Sequence, residues 1–535
     1  MAKAFFTFLS LITGILSFSQ SNVDVLHYRF DIKLNDQNDS IYGEAGIWFI
    51  PEKNTSTTSF DLTGMNSKGS GMKVESVKYL HGWPGEINFK KATFKQADDI
   101  ISISFDKNDK QDTCYVLISY KGIPADGLII SKNKYGNRTF FADNWPNRGH
   151  NWLPCHDDPA DKASVEFIVT APLHYQVVAN GIQIEETNLP GDWKKTHWKE
   201  EVLISTKVMV IGVADFAVNL SDMVDGCIPV YSWVYPENRD WGFYDYAQAA
   251  EILPWFIKNI GPYGYKKLAN VQSKTIFGGL ENASTIFYAE SSVNGMRTSE
   301  GLIAHEIAHQ WFGNMATEKS FAHLWLSEGF ATYMTILYME ATHGKDTARK
   351  MLMEDREQVI NFARQNNRPV VDNTKDFMEL LNPNSYQKGG WILHMLRREL
   401  GDDIFWKSIR SYYATYAGKT ADTDDLRAIF EKTAGKDLKQ FFRQWLFTPG
   451  IPDLDISWKN DAAKKQVTIT VEQKNATPFT FPLEIQLKGQ NAQVEKLAVK
   501  QAKQSFTLPV KETITSVKAD PSISLLFTAT VTQEK

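Results

Sequence analysis

Residues 302 to 314, LIAHEIAHQWFGN, contain two histidines and a glutamate with the types and spacing of a metal site. His305 and His309 are four positions apart, so on a helix they lie on one face and can direct both imidazoles at one ion. Neutral imidazoles suit zinc. Glu306 would project beside the ion, where a carboxylate can accept a proton from activated water. The stretch therefore predicts zinc-dependent hydrolysis with Glu306 as the general base.

A hydrolytic zinc site usually has three protein ligands and keeps a fourth position for water. The stretch LWLSEGFATY supplies Glu328 on what reads as the next helix, and Gly313 with Asn314 marks the end of the first. Two antiparallel helices could bring Glu328 to the metal. The alternative is that His305 and His309 are hydrogen-bonded core residues and Glu306 a surface acid.

A second constellation lies just upstream, in FGGLEN. Paired glycines at the end of a strand allow another backbone to approach closely, so a peptide could add itself along this edge by main-chain hydrogen bonds. An ordinary turn with a solvated acid is the alternative. The candidate substrate-binding residues are Gly278, Gly279, Leu280, Glu281 and Asn282.

The three motifs GGLEN, HEIAHQWFGN and LSEGFATY, in this order, resemble those of the gluzincin aminopeptidases of the M1 family, which includes aminopeptidase N and leukotriene A4 hydrolase. NWLPCHDDPADKA at 151–163 looks like a segment of the family's N-terminal domain. GVADFAV at 212–218 looks like the strand that closes that domain. SYQKGGWILHML at 385–396 looks like the stretch that carries the family's catalytic tyrosine, which matches Tyr386.

The resemblance implies a zinc aminopeptidase with one Zn²⁺ per chain, bound by His305, His309 and Glu328. Its substrates would be peptides with a free N-terminus. Glu281 would bind the α-ammonium group, the glycine strand would align the first peptide bond, and Tyr386 would donate a hydrogen bond to the developing oxyanion. Epoxide hydrolysis of the leukotriene A4 hydrolase type and a non-catalytic peptide-binding scaffold are the alternatives.

The sequence departs from the family pattern at two places. Ser327 stands where the family usually has asparagine before the third ligand, which we expect to alter hydrogen bonding around the metal ligands only. Many members add a Gln or Glu of the N-terminal domain to the ammonium site. The corresponding neighbourhood here, FFADNWPNRGHNW, places Asn144 or Trp145 there.

The periodicity along the chain predicts a multidomain α+β protein that could position these residues. Short alternating segments predict an antiparallel β domain over 20–218, and a 3.6-residue period predicts a mainly helical catalytic domain over 219–447. The resemblance makes that domain thermolysin-like. TPGIP punctuates the chain, and the alternation that returns after it predicts a small β-sandwich over 448–535.

Composition narrows the classes of function and compartment. The 535 residues carry a net charge of only -5, which offers no basic surface for nucleic acid. Lys3 and the apolar run that follows predict a signal peptide over 1–19, with an N-terminal membrane anchor as the alternative. Export to the periplasm or the extracellular space is expected, with no membrane span in the mature protein. Three cysteines allow at most one disulfide. The sequence does not indicate an oligomeric state.

Overall fold

The computed structural model describes residues 23–51, 55–82, 89–106 and 113–534. The signal peptide predicted over 1–19 lies outside these ranges. Within them, strands dominate up to residue 234, helices dominate from 239 to 442, and strands return from 453. The order of β-rich, helical and β-rich parts agrees with the expected multidomain α+β class.

The described residues of the N-terminal part form fifteen strands. An eight-stranded sheet has the order β13-β14-β11-β1-β2-β8-β4-β5, and beside it lie a four-stranded sheet, β12-β15-β10-β9, and a three-stranded sheet, β3-β7-β6. Neighbours in the large sheet are antiparallel except β1 and β11. The strands are β1 (Asp24–Lys33), β2 (Ile41–Ile50), β3 (Thr57–Asp61), β4 (Gly71–His81), β5 (Lys90–Lys91), β6 (Thr93–Ala97), β7 (Ile100–Ser104), β8 (Cys114–Ile123), β9 (Leu128–Lys132), β10 (Arg138–Ala142), β11 (Lys162–Pro172), β12 (Gln176–Ala179), β13 (Ile182–Leu189), β14 (Trp193–Ser205) and β15 (Ile211–Ala214).

A five-stranded sheet opens the middle part, in the order β16-β17-β18-β20-β19. Strands β17, β18 and β20 are parallel, whereas β19 runs antiparallel to β20 and forms the edge. A short parallel pair, β21 and β22, lies among the helices. The strands are β16 (Ala217–Val224), β17 (Ile228–Val234), β18 (Leu268–Ser273), β19 (Gly279–Leu280), β20 (Thr285–Ala289), β21 (Ala316–Glu318) and β22 (Lys419–Ala421).

Nine α-helices within the described ranges build the rest of this part. The helices are α1 (Arg239–Tyr246), α2 (Gln248–Asn259), α3 (Glu300–His309), α4 (Trp325–His343), α5 (Lys345–Gln365), α6 (Gly389–Leu400), α7 (Asp402–Tyr416), α8 (Thr423–Ala434) and α9 (Lys439–Phe442). A π-helical turn, Asn384–Lys388, leads into α6. Helix α4 packs against α3, α5 and α6 and is buried on most sides, as its near-continuous apolar sequence predicts.

The chain between α3 and α4 must turn sharply for the two helices to face each other. Gly313 adopts φ +112°, which side-chain-bearing residues rarely adopt, and a Cβ there would stand 2.2 Å from Ser327 Oγ. The two helices are antiparallel, because the Tyr338 hydroxyl late in α4 donates to Glu300 at the start of α3 (2.9 Å). This pairing is the one expected for bringing a carboxylate to the two histidines.

Two further sheets follow the helices, β27-β24-β23-β29 and β26-β25-β28. Alternate residues are buried along β23, β24 and β25, so each sheet has one apolar face, as a sandwich requires. The strands are β23 (Asp453–Asp461), β24 (Gln466–Gln473), β25 (Phe481–Lys488), β26 (Ala492–Val499), β27 (Lys503–Pro509), β28 (Ser516–Ala519) and β29 (Thr528–Gln533).

One boundary differs from its expected place. The stretch GVADFAV is split, because β15 ends at Ala214 in the N-terminal part and β16 begins at Ala217 in the five-stranded sheet. The two residues between these strands, Asp215 and Phe216, belong to neither, and such a break is too short to separate two sheets by pattern alone. No disulfide joins Cys114, Cys155 and Cys227. None of the helices in the described ranges has the length and apolarity needed to cross a membrane.

A buried ion pair joins the N-terminal and middle parts. Lys207, just after β14, donates to Glu318 of β21, and the two side chains are 1% and 0% exposed. We expect Lys207→Met to lower the free energy of unfolding by about 3–5 kcal/mol, because Glu318 would remain as a buried, unpaired carboxylate. Urea denaturation measures the loss. The double variant with Glu318→Gln should recover most of it, and an equal loss in the double variant would contradict this explanation.

Candidate metal centre and active site

Three side chains from α3 and α4 converge on one point. His305 Nε2 lies 3.3 Å and His309 Nε2 3.2 Å from Glu328 Oε2, and the two imidazole nitrogens are 3.1 Å apart. In the described part of the chain, these are the only three ligand-type side chains grouped closely enough for a metal. Donor atoms about 2.0–2.1 Å from a tetrahedral zinc would stand roughly 3.3 Å from each other. The observed spacing fits such a zinc site.

The charge of the site also favours a cation. The cavity around it is lined by the carboxylates of Glu281, Glu306 and Glu328, and no Lys or Arg is among the described lining residues. Burial lowers the pKa of His309, but the carboxylates of Glu328, Glu281 and Glu306 together outweigh burial and raise the pKa to about 10. Three buried carboxylates thus attract positive charge to the point between the histidines, and a zinc ion would supply it.

His309 is held in one orientation by groups outside the cavity. Its Nδ1 lies 3.1 Å from the Phe312 carbonyl and 3.0 Å from Ser327 Oγ. A carbonyl accepts a hydrogen bond only from a protonated Nδ1, which leaves the lone pair of Nε2 for a metal. Ser327 therefore contacts a metal-ligand candidate on the side away from the cavity, as expected for a residue that alters hydrogen bonding around the metal ligands.

Glu306 faces the edge strand next to the three converging side chains. It is 4% exposed, and burial raises the pKa of its carboxyl well above 4.5, with Glu281 and Glu328 adding to the effect. A Cβ on Gly279 would stand 2.2 Å from Glu306 Oε1. A side chain at Gly279 would therefore displace the Glu306 carboxylate, whereas Gly278 has room for a side chain.

Glu281 lies at the end of β19, the edge strand. The strand is fixed to the end of α3, because Gln310 Nε2 (3.1 Å) and Asn314 Nδ2 (2.6 Å) both donate to the Glu281 backbone carbonyl. The Glu281 side chain is 5% exposed, yet Oε1 has no hydrogen-bond partner in the described structure. A buried acceptor without a donor is costly unless a ligand supplies one.

The clamp formed by Gln310 and Asn314 was not predicted from the sequence. Both residues stand inside the HEIAHQWFGN motif, but nothing in their spacing indicates that their amides reach back to the GGLEN segment. Gln310 also accepts from the Ser284 backbone N–H (2.9 Å). One side chain thus holds both sides of the loop that carries Glu281.

Tyr386 stands on the π-helical turn with its ring stacked on that of His305, with 6.1 Å between the ring centroids. Burial raises the pKa of the phenol well above 10, and the carboxylates of Glu328, Glu281 and Glu306 raise it further. The hydroxyl therefore keeps its proton at neutral pH and can donate a hydrogen bond into the cavity.

These residues share one cavity of about 460 Å³. Trp145 lines it and packs edge-to-face against Phe277 (5.9 Å between centroids). Asn144 does not reach it, because its amide donates to the Thr206 and Met209 carbonyls and accepts from Trp152. Of the two candidates for the ammonium site, only Trp145 lines the cavity.

Nine of the ten candidate site residues line the same cavity. The tenth, Asn282, is buried and lies outside the described lining.

Comparison with protein families finds two matching family models, one for the N-terminal part of the chain and one for the helical part that follows it. A family model described as "Peptidase M1 N-terminal domain" matches residues 25–208. A second, described as "Peptidase family M1 domain", matches residues 244–445. The first covers nearly all of β1 to β15, and the second covers α3, α4 and the π-helical turn, which together carry His305, His309, Glu328 and Tyr386.

Curated proteins similar to this chain are named aminopeptidases. "Aminopeptidase M1-B" of Oryza sativa subsp. japonica is 29% identical over 56% of this chain and 36% of its own length. "Aminopeptidase 2" of Candida albicans is 25% identical over 94% of this chain and 56% of its own length. "Probable aminopeptidase 2" of Sulfurisphaera tokodaii is 26% identical over 84% and 58%. The chain thus spans between about one third and three fifths of the length of these relatives.

Proposed function

This chain belongs to the peptidase M1 family, and we propose that it is a zinc aminopeptidase that removes the N-terminal residue of peptides. The main support for the proposal is that a metal site and a carboxylate without a partner lie in the same cavity. Three donors lie at tetrahedral zinc spacing, and an unpartnered buried carboxylate lies at the end of an edge strand. The names of the related aminopeptidases support the same activity.

His305, His309 and Glu328 would hold the ion. When bound there, zinc supplies Lewis-acid polarisation of the scissile carbonyl and activation of water for attack. The peptide backbone would pair with the free edge of β19, and Glu281 Oε1 would accept from the α-ammonium group. This fixes the first peptide bond at the centre, because the distance from the N-terminus to that bond does not depend on the side chain.

Glu306 would transfer the proton, and Tyr386 would stabilise the negative charge that develops on the substrate. The Glu306 carboxylate would take a proton from the attacking water and pass it to the leaving amine. The Tyr386 hydroxyl would donate to the oxyanion that develops on the carbonyl oxygen. We expect Tyr386→Phe to lower kcat by about 10²–10³ while KM changes little, since the hydrogen bond forms mainly in the transition state. Steady-state kinetics measure both, and a raised KM at unchanged kcat would contradict this role.

The proposed function is tested with one fluorogenic peptide supplied with a free and with an acetylated N-terminus. Protein loaded with zinc should bind one ion per chain by atomic emission and cleave only the free form. A chelator should abolish cleavage and added zinc should restore it. Cleavage of both forms would contradict the role of Glu281. Cleavage of neither would favour the scaffold, or epoxide hydrolysis if a leukotriene-type epoxide is then turned over.

We also propose that the protein is exported, which the apolar run from Ala4 to Phe18 supports. Intact-mass measurement of the protein recovered from the periplasm or the medium tests this proposal. A chain shortened near Ser19 is expected, and full-length protein retained in the cell would contradict it.

A further inference from the structure

The cavity contains a fourth carboxylate that the proposed mechanism does not use. Asp355 of α5 lines the wall together with Met351 and with Thr332, Thr335 and Ile336 of α4. No hydrogen bond or ion pair joins its carboxyl to another described residue. Burial raises its pKa to about 7, with a smaller contribution from Glu354. Asp355 is half-buried, so its carboxylate is partly desolvated, and it lacks a compensating positive charge.

The elements place Asp355 at one end of the cavity. Edge strand β19 runs alongside α3. Gln310, the residue directly after α3, donates a hydrogen bond to the Glu281 backbone carbonyl and so holds Glu281 near the end of this helix. At the other end of the strand, a Cβ on Gly278 would lie 4.0 Å from Leu302, in the first turn of α3. A peptide bound with its N-terminus at Glu281 therefore extends past the metal centre toward Leu302.

Helices α4 and α5 bring Asp355 to that same end. Because α3 and α4 are antiparallel, the residues after Glu328 in α4 approach the start of α3. Gly344 alone separates α4 from α5 and the two helices pack together, so Asp355 lies level with Thr332 to Ile336. These positions are one to two helical turns beyond Glu328, or about 6–12 Å along the axis. Asp355 thus lies on the side of the leaving portion of the peptide.

The position of Asp355 is fixed by the residue that follows it. Arg356 donates to the Asp520 carboxylate (2.7 Å) in the C-terminal part, and its guanidinium lies over the rings of Trp391 and Phe527. These contacts hold α5 in register, so the carboxyl one residue earlier stays in the cavity wall.

The balance of charges in the cavity indicates which side chain of a substrate Asp355 could bind. A divalent zinc and the α-ammonium group of a peptide would balance Glu281, Glu306 and Glu328, and Asp355 would remain without a counterion. We propose that Asp355 binds the cationic side chain of a Lys or Arg at the second residue of the peptide, directly after the bond that is cleaved. The inference rests on the proposed function and adds to it a preference for a basic residue on the leaving side.

The test compares the peptides Leu-Arg-Ala-Ala, Leu-Met-Ala-Ala and Leu-Ala-Arg-Ala, together with leucine arylamide, which has no second residue. For the unaltered protein, kcat/KM should be about tenfold or more higher with Arg than with Met at the second position, as expected for a charge-assisted hydrogen bond. Asp355→Asn, which keeps the shape of the side chain, should reduce this ratio to near one. The matched control Glu354→Gln removes an exposed charge one residue away and should preserve the ratio.

The outcomes separate the inference from the function on which it rests. Turnover of leucine arylamide and of all peptides without a basic preference would overturn the inference alone. So would a preference that survives in Asp355→Asn, or one seen only with Leu-Ala-Arg-Ala. No turnover of any substrate by the unaltered zinc-loaded protein would contradict the proposed function and, with it, this inference. The comparison of substrates on the unaltered protein stands even if Asp355→Asn does not fold.

Discussion

Replacing Glu306 by glutamine should lower kcat on an unblocked peptide by about 10²–10⁴ while the protein still binds one zinc ion per chain. The amide fills the same space against Gly279 but cannot take a proton from water. His305, His309 and Glu328 are unchanged in this variant, so the metal site should be kept. Steady-state kinetics together with atomic emission measure the two properties on one sample.

The matched control for this variant is Glu300→Gln. Glu300 lies at the start of the same helix, and its carboxylate accepts from Tyr338 (2.9 Å) outside the cavity. Its replacement should change kcat by less than about threefold, since its two partners, Tyr338 and His343, lie outside the cavity and far from the reacting atoms. Undiminished turnover in Glu306→Gln would show that another group takes the proton.

Replacing Glu281 by glutamine should lower kcat/KM for free peptides by about 10² or more, because the α-ammonium group would lose its buried carboxylate. The rate on acetylated peptides should not fall in parallel, so the ratio between free and acetylated substrates should drop. The loss should be confined to recognition of the amine, because Gln310 and Asn314 hold the Glu281 backbone and not its side chain.

Glu290→Gln is the control for this second variant. Glu290 follows β20 in the same part of the protein and its carboxylate pairs with Lys274 (3.3 Å) away from the cavity. It should leave the ratio between free and acetylated substrates unchanged. The assignment is falsified if Glu281→Gln cleaves unblocked peptides as well as the unaltered protein does.

The site residues that the sequence indicated are brought together by the geometry of one helix or of one turn. His305 and His309 share a helix face because of the helical period, and Gly313 with Asn314 marks the turn that returns the chain to Glu328. Membership of the M1 family, the β-rich N-terminal part and the helical catalytic part agree with what periodicity and motifs predicted. The roles of the individual site residues remain predictions that the variants above test.

Other features depended on contacts between segments far apart in the chain. Asn144 and Trp145 are adjacent, and only packing decides that the indole enters the cavity while the amide binds backbone carbonyls. The clamp of Gln310 on Glu281 and the pairing of Lys207 with Glu318 are equally non-local. Asp355 gives no signal at all in the sequence, where it reads as one acid among several on an amphipathic helix.

The sequence by itself therefore indicated the metal-ligand candidates, the candidate general base and the glycine-bearing edge strand, because a helical or extended period fixes which side chains share a face. The tertiary structure alone decided which carboxylates line the cavity without a hydrogen-bond partner. That property depends on the distances to all other charges and on the water that neighbouring segments exclude. Glu281 and Asp355 acquire their proposed functions in this way, one at each end of the same cavity.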